Sequence, residues 1–182
     1  MDCTYIILAI VMSAFVLYQE SFYKVKNDDQ VVITQFNKAF GEAKTEAGVY
    51  FKIPFIQEAH YYPQNEHLYE NEHEIPTLDQ ELTRLNSQAV WELDDPIKFY
   101  NRLHYFDDNA KDFIQSIIRS AERETITATI ISDIVWKSND TTSDSLQCNP
   151  EVLHRIEKEA QLRLLDFGIL LLSIKATVTY PI

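Results

Sequence analysis

The sequence predicts an α+β fold in which a hydrophobic N-terminal helix precedes one domain of antiparallel strands packed with two main helices. Three observations support this class. An uncharged apolar segment follows Asp2, several stretches alternate apolar with polar residues, and two stretches repeat apolar residues at spacings of three and four. Strands come first, helices follow, and a strand closes the chain, which is the order typical of an α+β domain.

The N-terminal segment is predicted to be a membrane-spanning anchor. Residues 4–18 carry no charge, and as a helix they span about 22 Å, short of a hydrocarbon core of about 30 Å. Extending the segment through residue 23 gives a workable length and adds Phe22 and Tyr23 to Tyr18 as interfacial aromatic side chains. We therefore expect an anchor at 1–23 and a folded domain at 24–182.

A cleaved signal peptide is the alternative interpretation of this segment. No basic residue precedes it, and Ala14 is followed by apolar residues, which makes a poor cleavage site. Lys24 and Lys26 follow the segment, so the positive-inside rule would place the domain in the cytoplasm.

The first part of the domain, about 24–93, is predicted to be rich in strands. Residues 31–36 are β-branched or aromatic, and residues 49–53 form a similar run that ends at Pro54. The clearest strand has apolar or small residues on alternate positions, namely Leu85, Ser87, Ala89, Trp91 and Leu93.

The second part, about 94–182, is predicted to contain the helices and a last strand. Asp95 and Pro96 begin a short helix, and Asp107 or Asp108 begins a long one that runs to about residue 131. A polar loop at 137–149 leads to a helix that begins after Asn149 and stops at Gly168. The closing strand is predicted from alternation at Ile174, Ala176, Val178 and Tyr180.

Composition excludes some function classes. The formal net charge of −12 disfavours nucleic acid as a partner, because phosphate binding depends on Lys and Arg. Only three glycines occur, so a glycine-rich phosphate loop is excluded. We predict no catalytic residues, no cofactor and no metal site.

Two clusters of polar residues nevertheless need an interpretation. His67 and His73 lie near Glu70, Glu72 and Glu74 and could gather a surface ion, but a polar loop with titrating histidines is the preferred interpretation. The acidic residues around Glu70–Glu81 leave open an anchored extracytoplasmic hydrolase, which would need two carboxylates at a defined separation.

The chain resembles the SPFH or band 7 family (stomatin, prohibitin, flotillin and HflK/HflC), and within it the HflC branch. The resemblance covers residues 23–180 and rests on ordered motifs. Residues 47–57 read Ala-Gly-Val-Tyr-Phe-Lys-Ile-Pro-Phe-Ile-Gln, residues 91–100 read Trp-Glu-Leu-Asp-Asp-Pro-Ile-Lys-Phe-Tyr, and Phe-Gly-Ile at 167–169 leads into the last strand.

The resemblance implies a non-enzymatic scaffold that assembles, as a homo- or hetero-oligomer, with an HflK-like partner and modulates an FtsH-like AAA+ membrane protease. It implies a single-pass protein of the bacterial inner membrane with its domain on the extracytoplasmic side, against the orientation that Lys24 and Lys26 indicate. A scaffold of lipid microdomains without a protease is the alternative within the family.

Two further expectations follow from this resemblance. Family members continue into a long charged helical region that drives assembly, whereas this sequence stops at Ile182, so either a truncated fragment or assembly by another route is expected. Membrane lipid is a predicted partner, and Phe55 and Ile56 are candidate interface residues because apolar side chains beside Lys52 could enter the headgroup region. Burial of the same residues in a core strand is the alternative.

Overall fold

The computed structural model describes residues 3–136 and 146–179, and within them the chain forms five α-helices and ten strands. The helices are α1 (Cys3–Glu20), α2 (Pro96–Leu103), α3 (Asp108–Thr127), α4 (Ile131–Ile134) and α5 (Pro150–Leu164). The strands are β1 (Phe22–Val25), β2 (Asp29–Gln35), β3 (Lys38–Ala39), β4 (Gly48–Phe51), β5 (Gln57–Pro63), β6 (His67–Pro76), β7 (Leu82–Leu93), β8 (Val135–Trp136), β9 (Leu146–Cys148) and β10 (Ile169–Thr179).

The strands of the described residues form three antiparallel sheets. One has two strands (β1-β4), one has three (β3-β2-β5) and one has five (β6-β7-β10-β9-β8). Helices α3 and α5 pack on each other and on the five-stranded sheet. The mixed α and β composition with antiparallel sheets confirms the predicted fold class.

The main core lies between the five-stranded sheet and the helices. Side chains of β7 that point inward, such as Leu85 and Ala89, are fully buried with Ile114 and Ile118 of α3 and Ile156 of α5. Burial on alternate residues of a strand and at helical spacing on the helices is the pattern that the sequence predicts.

The three-stranded sheet is joined to the end of the five-stranded sheet. The Gln30 side-chain amide donates to the Leu93 carbonyl oxygen at 2.7 Å and to the Pro63 carbonyl oxygen at 3.3 Å. Gln30 is itself buried, so it replaces lost water contacts with these hydrogen bonds. Val32 and Tyr62 of this sheet belong to the main core, which makes the two sheets one packed unit.

The predicted starts of α2 and α5 depend on local capping, and the structure confirms them, whereas the long helix α3 ends at Thr127 and not near residue 131. The Asp95 carboxylate accepts from the Lys98 N–H, and the Asn149 side chain accepts from the Glu151 N–H. At the other end, Gly168 adopts a left-handed conformation with φ of 73° after a short 3-10 turn at Leu165–Phe167.

Several predictions about the first half of the domain differ from the structure. Strand β6 occupies the region around His67 and His73 that was predicted to be a polar loop, so that interpretation is wrong. Phe22 and Tyr23 lie in β1 rather than in the N-terminal helix, which ends at Glu20. Residues 137–145 of the predicted polar loop, and Tyr180 of the closing strand, lie outside the described residues.

The predicted membrane-spanning helix is not confirmed. Among the described residues, none of the helices combines the length and the apolar character that crossing a membrane requires.

Candidate membrane-facing surface

Three aromatic rings connect the end of α1 to the two-stranded sheet. The chain passes from α1 into β1, and the Lys52 N–H donates to the Ser21 carbonyl oxygen at 2.7 Å. Pairing of β1 with β4 sets Phe22 opposite Phe51. The rings of Tyr18 and Phe22 then pack edge to face, with their centroids 5.2 Å apart, and the centroids of Phe22 and Phe51 are 5.9 Å apart in the same arrangement.

The turn after β4 presents more apolar side chains to solvent. Gln57 organises this turn, because its N–H donates to the Ile53 carbonyl oxygen at 2.9 Å and its side-chain oxygen accepts from the Ile53 N–H at 2.8 Å. Phe55 sits in the left-handed region with φ of 64° and is 85% exposed. Ile53 and Ile56 beside it are also exposed.

A second turn brings another phenylalanine to the same end of the molecule. The β2–β3 hairpin turns through Phe36 and Asn37, which both have positive φ, at 51° and 60°. A bulky residue is rare in this conformation, yet the Phe36 ring is 77% exposed. Gln35 pairs with Gln57, so this turn and the turn after β4 leave the same end of the three-stranded sheet.

These side chains form one exposed apolar surface where α1 joins the domain. We call it the apolar end, and it consists of Tyr18, Phe22, Phe36, Phe51, Ile53, Phe55 and Ile56. Contiguous exposed apolar surface of this kind marks interaction sites with proteins or membranes.

The structure places four of the five predicted interface residues on the apolar end. Tyr18, Phe22, Phe55 and Ile56 are exposed there, whereas Tyr23 is 6% exposed and its ring stacks on Tyr50. Tyr23 is therefore a core residue of the small sheet, because alternation along β1 turns it away from Phe22. Sequence reasoning missed Phe36, whose exposure depends on a hairpin turn that lacks glycine.

Of the acidic residues of the hydrolase alternative, Glu70, Glu72 and Glu74 lie on the outer face of the five-stranded sheet, and Asp79 and Glu81 lie in the β6–β7 turn. Glu74 and Glu72 contact Arg84 across the strands at 2.9 and 3.5 Å, and the Gln88 amide donates to Glu70 at 2.9 Å. These are ordinary cross-strand pairs on an exposed face, so they give the hydrolase alternative no structural support.

A different carboxylate is buried on the inner face of that sheet. Glu122 of α3 is 0% exposed, and its Oε2 lies 3.8 Å from His73 Nε2. Burial raises the pKa of Glu122 to about 7; Ser87 and Arg119 oppose this rise only in part. Neither carboxylate oxygen meets hydrogen-bond geometry with a described residue.

The His73 imidazole that faces Glu122 is shifted towards its neutral form. Burial lowers its pKa, and the positive charges of Arg119 and Arg123 lower it further. Within residues 3–136 and 146–179, no three His, Cys, Asp or Glu side chains come together in a way that could hold a metal ion. Glu122 and His73 thus bring two titratable side chains together between α3 and β6.

Comparison with known proteins assigns the class. Residues 23–180 match the sequence model of the SPFH domain / Band 7 family, and the chain belongs to that family. Over 135 residues it is 28% identical to Protein HflC of Treponema pallidum (strain Nichols). That alignment covers 74% of this chain and 40% of the relative, so the chain spans less than half the length of the relative it matches. The family and the likeness to HflC confirm the resemblance predicted from the motifs.

Proposed function

We propose that this protein is a membrane-associated, non-enzymatic scaffold subunit of the HflC type, and that its apolar end rests on lipid. The observation that carries the proposal is the apolar end itself, which lies where α1 meets the domain. The described apolar side chains of α1 are also exposed; examples are Leu8, Val11 and Phe15. Helix and apolar end therefore offer continuous apolar surface.

Lipid contact explains why this surface remains uncovered by the domain. Burying a Phe or Ile side chain contributes about 1.5 to 3 kcal/mol, so Phe36, Phe55 and Ile56 together would hold the domain firmly at the interface. Lys38 and Lys52 neighbour these residues in sequence and can extend their ammonium groups towards headgroups while their stems stay among apolar groups.

A probe at one position tests the contact independently of α1. Phe55→Cys is made together with Cys3→Ser and labelled with an environment-sensitive dye; Cys148 is buried and its pKa is raised to about 11, so it labels slowly. The matched control is Leu78→Cys, an exposed site at the β6–β7 turn, at the other end of the five-stranded sheet.

In phosphatidylcholine–phosphatidylglycerol vesicles, the dye at position 55 should shift to the blue and be quenched by spin-labelled lipid. The dye at position 78 should remain in water. A dye at position 55 that stays as solvent-exposed as the one at position 78 would show that the apolar end does not touch lipid.

A double substitution tests the energetic contribution of the same surface. Phe55→Asp with Ile56→Asp should lower the fraction of protein that floats with vesicles, because two carboxylates replace two buried apolar groups. Leu78→Asp with Leu82→Asp makes the same change on exposed residues far from α1 and should leave flotation unchanged. Equal flotation of both double variants would count against the proposal.

The assembly is the finer part of the proposal. We propose a single-pass subunit of the bacterial inner membrane whose domain lies on the extracytoplasmic side. It would assemble with an HflK-like SPFH partner and modulate an FtsH-type AAA+ protease. Membership of the SPFH domain / Band 7 family and the likeness to HflC support this, and so does an exposed end suited to orienting the domain on a bilayer.

A further inference from the structure

Strand β6 is an edge strand of the five-stranded sheet. It stands first in the strand order β6-β7-β10-β9-β8 and pairs with β7 over its whole length. Among the described residues, no backbone hydrogen bond reaches the other side of this strand. The strand is 10 residues long, and an unpaired strand edge of this length offers a template to a further strand.

Hydrogen bonds beyond the two ends of β7 show which backbone groups of β6 are unpaired. In the β6–β7 turn, the Thr77 N–H donates to the Glu81 carbonyl oxygen at 2.9 Å, so the odd-numbered residues of β6 bond to β7. At the other end, the Asp94 N–H donates to the Gly168 carbonyl oxygen at 3.0 Å, which agrees because it assigns the even-numbered residues of β7 to β10. The even-numbered residues of β6 therefore turn their backbone groups away from the sheet, over about 20 Å. Those with an outward N–H are Leu68, Glu70, Glu72 and Glu74.

The glutamate side chains of this edge do not shield its backbone. Charged side chains commonly protect an edge strand by standing over its unpaired groups. Here Arg84 of β7 contacts Glu74 at 2.9 Å and Glu72 at 3.5 Å, and the Gln88 amide of β7 donates to Glu70 at 2.9 Å. These contacts draw the carboxylates back over β7. One guanidinium group for three carboxylates also leaves this side of the edge negative.

The other side of the edge carries positive charge. Helix α3 contacts β6, and its Arg119 and Arg123 side chains are exposed. The charges of both act on His73, which lies on the inner face of β6 and faces α3. An added strand would therefore meet carboxylates with the side chains of one face and guanidinium groups with those of the other.

The row of glutamates argues against a second copy of the chain as the occupant. If two β6 strands paired antiparallel through their open edges, even-numbered residues would lie opposite even-numbered residues on the same face. Glutamates would then face glutamates, and like charges directly opposite destabilise a strand pair. The same row favours a strand that carries Lys or Arg at alternate positions.

We propose that the open edge of β6 binds an extended segment of another protein, with basic residues on one face of the segment and acidic residues on the other. Main-chain hydrogen bonds to the even-numbered residues of β6 give the affinity. Ion pairs at an exposed site add little free energy, but they fix the register and the face that turns towards α3. The site uses none of the residues of the apolar end, so it is independent of the lipid contact proposed above.

The test is a selection of peptides against the full chain in detergent. A phage-displayed library of random heptapeptides is selected on the wild type and counter-selected on Glu72→Pro. Because the Glu72 N–H points outward, proline removes a donor from the open edge but no hydrogen bond to β7. Glu72→Ala is the matched control, since it removes the same carboxylate and keeps the N–H. Each enriched peptide is also synthesised with its backbone nitrogens methylated on alternate residues, in both registers, which tests main-chain pairing without changing the protein.

Strand addition predicts enriched peptides with Lys or Arg at alternate positions. They should bind Glu72→Ala within about threefold of the wild type and Glu72→Pro at least about tenfold more weakly. Methylation in one register should weaken binding by about tenfold or more and be tolerated in the other, because only alternate N–H groups of a strand face its neighbour. The proposal would be overturned by failure to enrich any peptide, by enriched peptides without basic residues, by equal binding to both variants, or by binding that ignores methylation in both registers. Each of these results would leave the lipid contact untouched.

Discussion

Replacing the buried carboxylate with Glu122→Gln should change how stability depends on pH. The folded state raises the pKa of Glu122 from 4.5 to about 7, so it holds a proton that the unfolded chain releases. A carboxyl with a raised pKa stabilises the fold below its unfolded pKa, and that contribution is lost as the pH rises towards the folded pKa. The wild type should therefore lose stability between about pH 4.5 and 7 at this site.

The magnitude follows from the size of the shift. The pKa of Glu122 rises from 4.5 to about 7, and most of that range lies above pH 5. Since one pKa unit corresponds to about 1.4 kcal/mol, the free energy of unfolding of the wild type should fall by about 2 to 3 kcal/mol between pH 5 and 8 through this residue. Glutamine cannot ionise, so the free energy of unfolding of Glu122→Gln minus that of the wild type should rise by this amount over the same range. The absolute difference at one pH also contains the cost of burying an amide, so the change with pH is the informative quantity.

The assay is urea unfolding in mild detergent, followed by tryptophan fluorescence at pH 5, 6, 7 and 8. Glu124→Gln is the matched control on the same helix, because Glu124 is exposed and its contact with Arg163 lowers its pKa. His73 lies 3.8 Å from Glu122 and titrates together with it, so both substitutions are also compared in a His73→Gln background. A difference between Glu122→Gln and the wild type that stays constant from pH 5 to 8 would refute the raised pKa.

Three further predictions concern single positions. Gly168→Ala should destabilise the fold by at least about 2 kcal/mol for two reasons: the new methyl group would lie 2.3 Å from the Asp95 carbonyl oxygen, and the backbone φ of 73° disfavours any residue with a Cβ. An unchanged melting temperature would contradict this. Asp95→Ala should cost about 1 kcal/mol in urea unfolding through loss of the cap on the Lys98 N–H, and Asp95→Asn should recover most of it. In a Cys3→Ser chain, Cys148 should react with iodoacetamide far more slowly than it does in denaturant, since burial raises its thiol pKa to about 11; equal rates would show that it is accessible.

The elements that could be predicted are those whose boundaries and buried face follow from the residues of the segment itself. Strand β7 alternates cleanly because one of its faces is buried, and the ends of the α5 region are signalled by residue type, an Asn cap at 149 and a glycine stop at 168. Strand β6 was missed because its outer face carries Glu70, Glu72 and Glu74, residues with little preference for strands. Its stability comes from pairing with β7, which lies later in the chain.

The candidate surface was predictable only in part for the same reason. Phe55 and Ile56 stand out beside a proline after an apolar run, so the sequence alone drew attention to them. The burial of Tyr23 and of Glu122 depends on partners far away in sequence, β4 for the first and β6 for the second. Periodicity within one segment cannot reveal such contacts.

The central claim, a scaffold subunit of a membrane assembly, is tested most directly by gentle detergent extraction of the tagged full chain. Size-exclusion chromatography with mass spectrometry then identifies whatever elutes with it. We predict a particle much larger than the 21.3 kDa chain, containing a second SPFH protein and an AAA+ membrane protease. A small species that elutes alone under the mildest extraction would contradict the assembly.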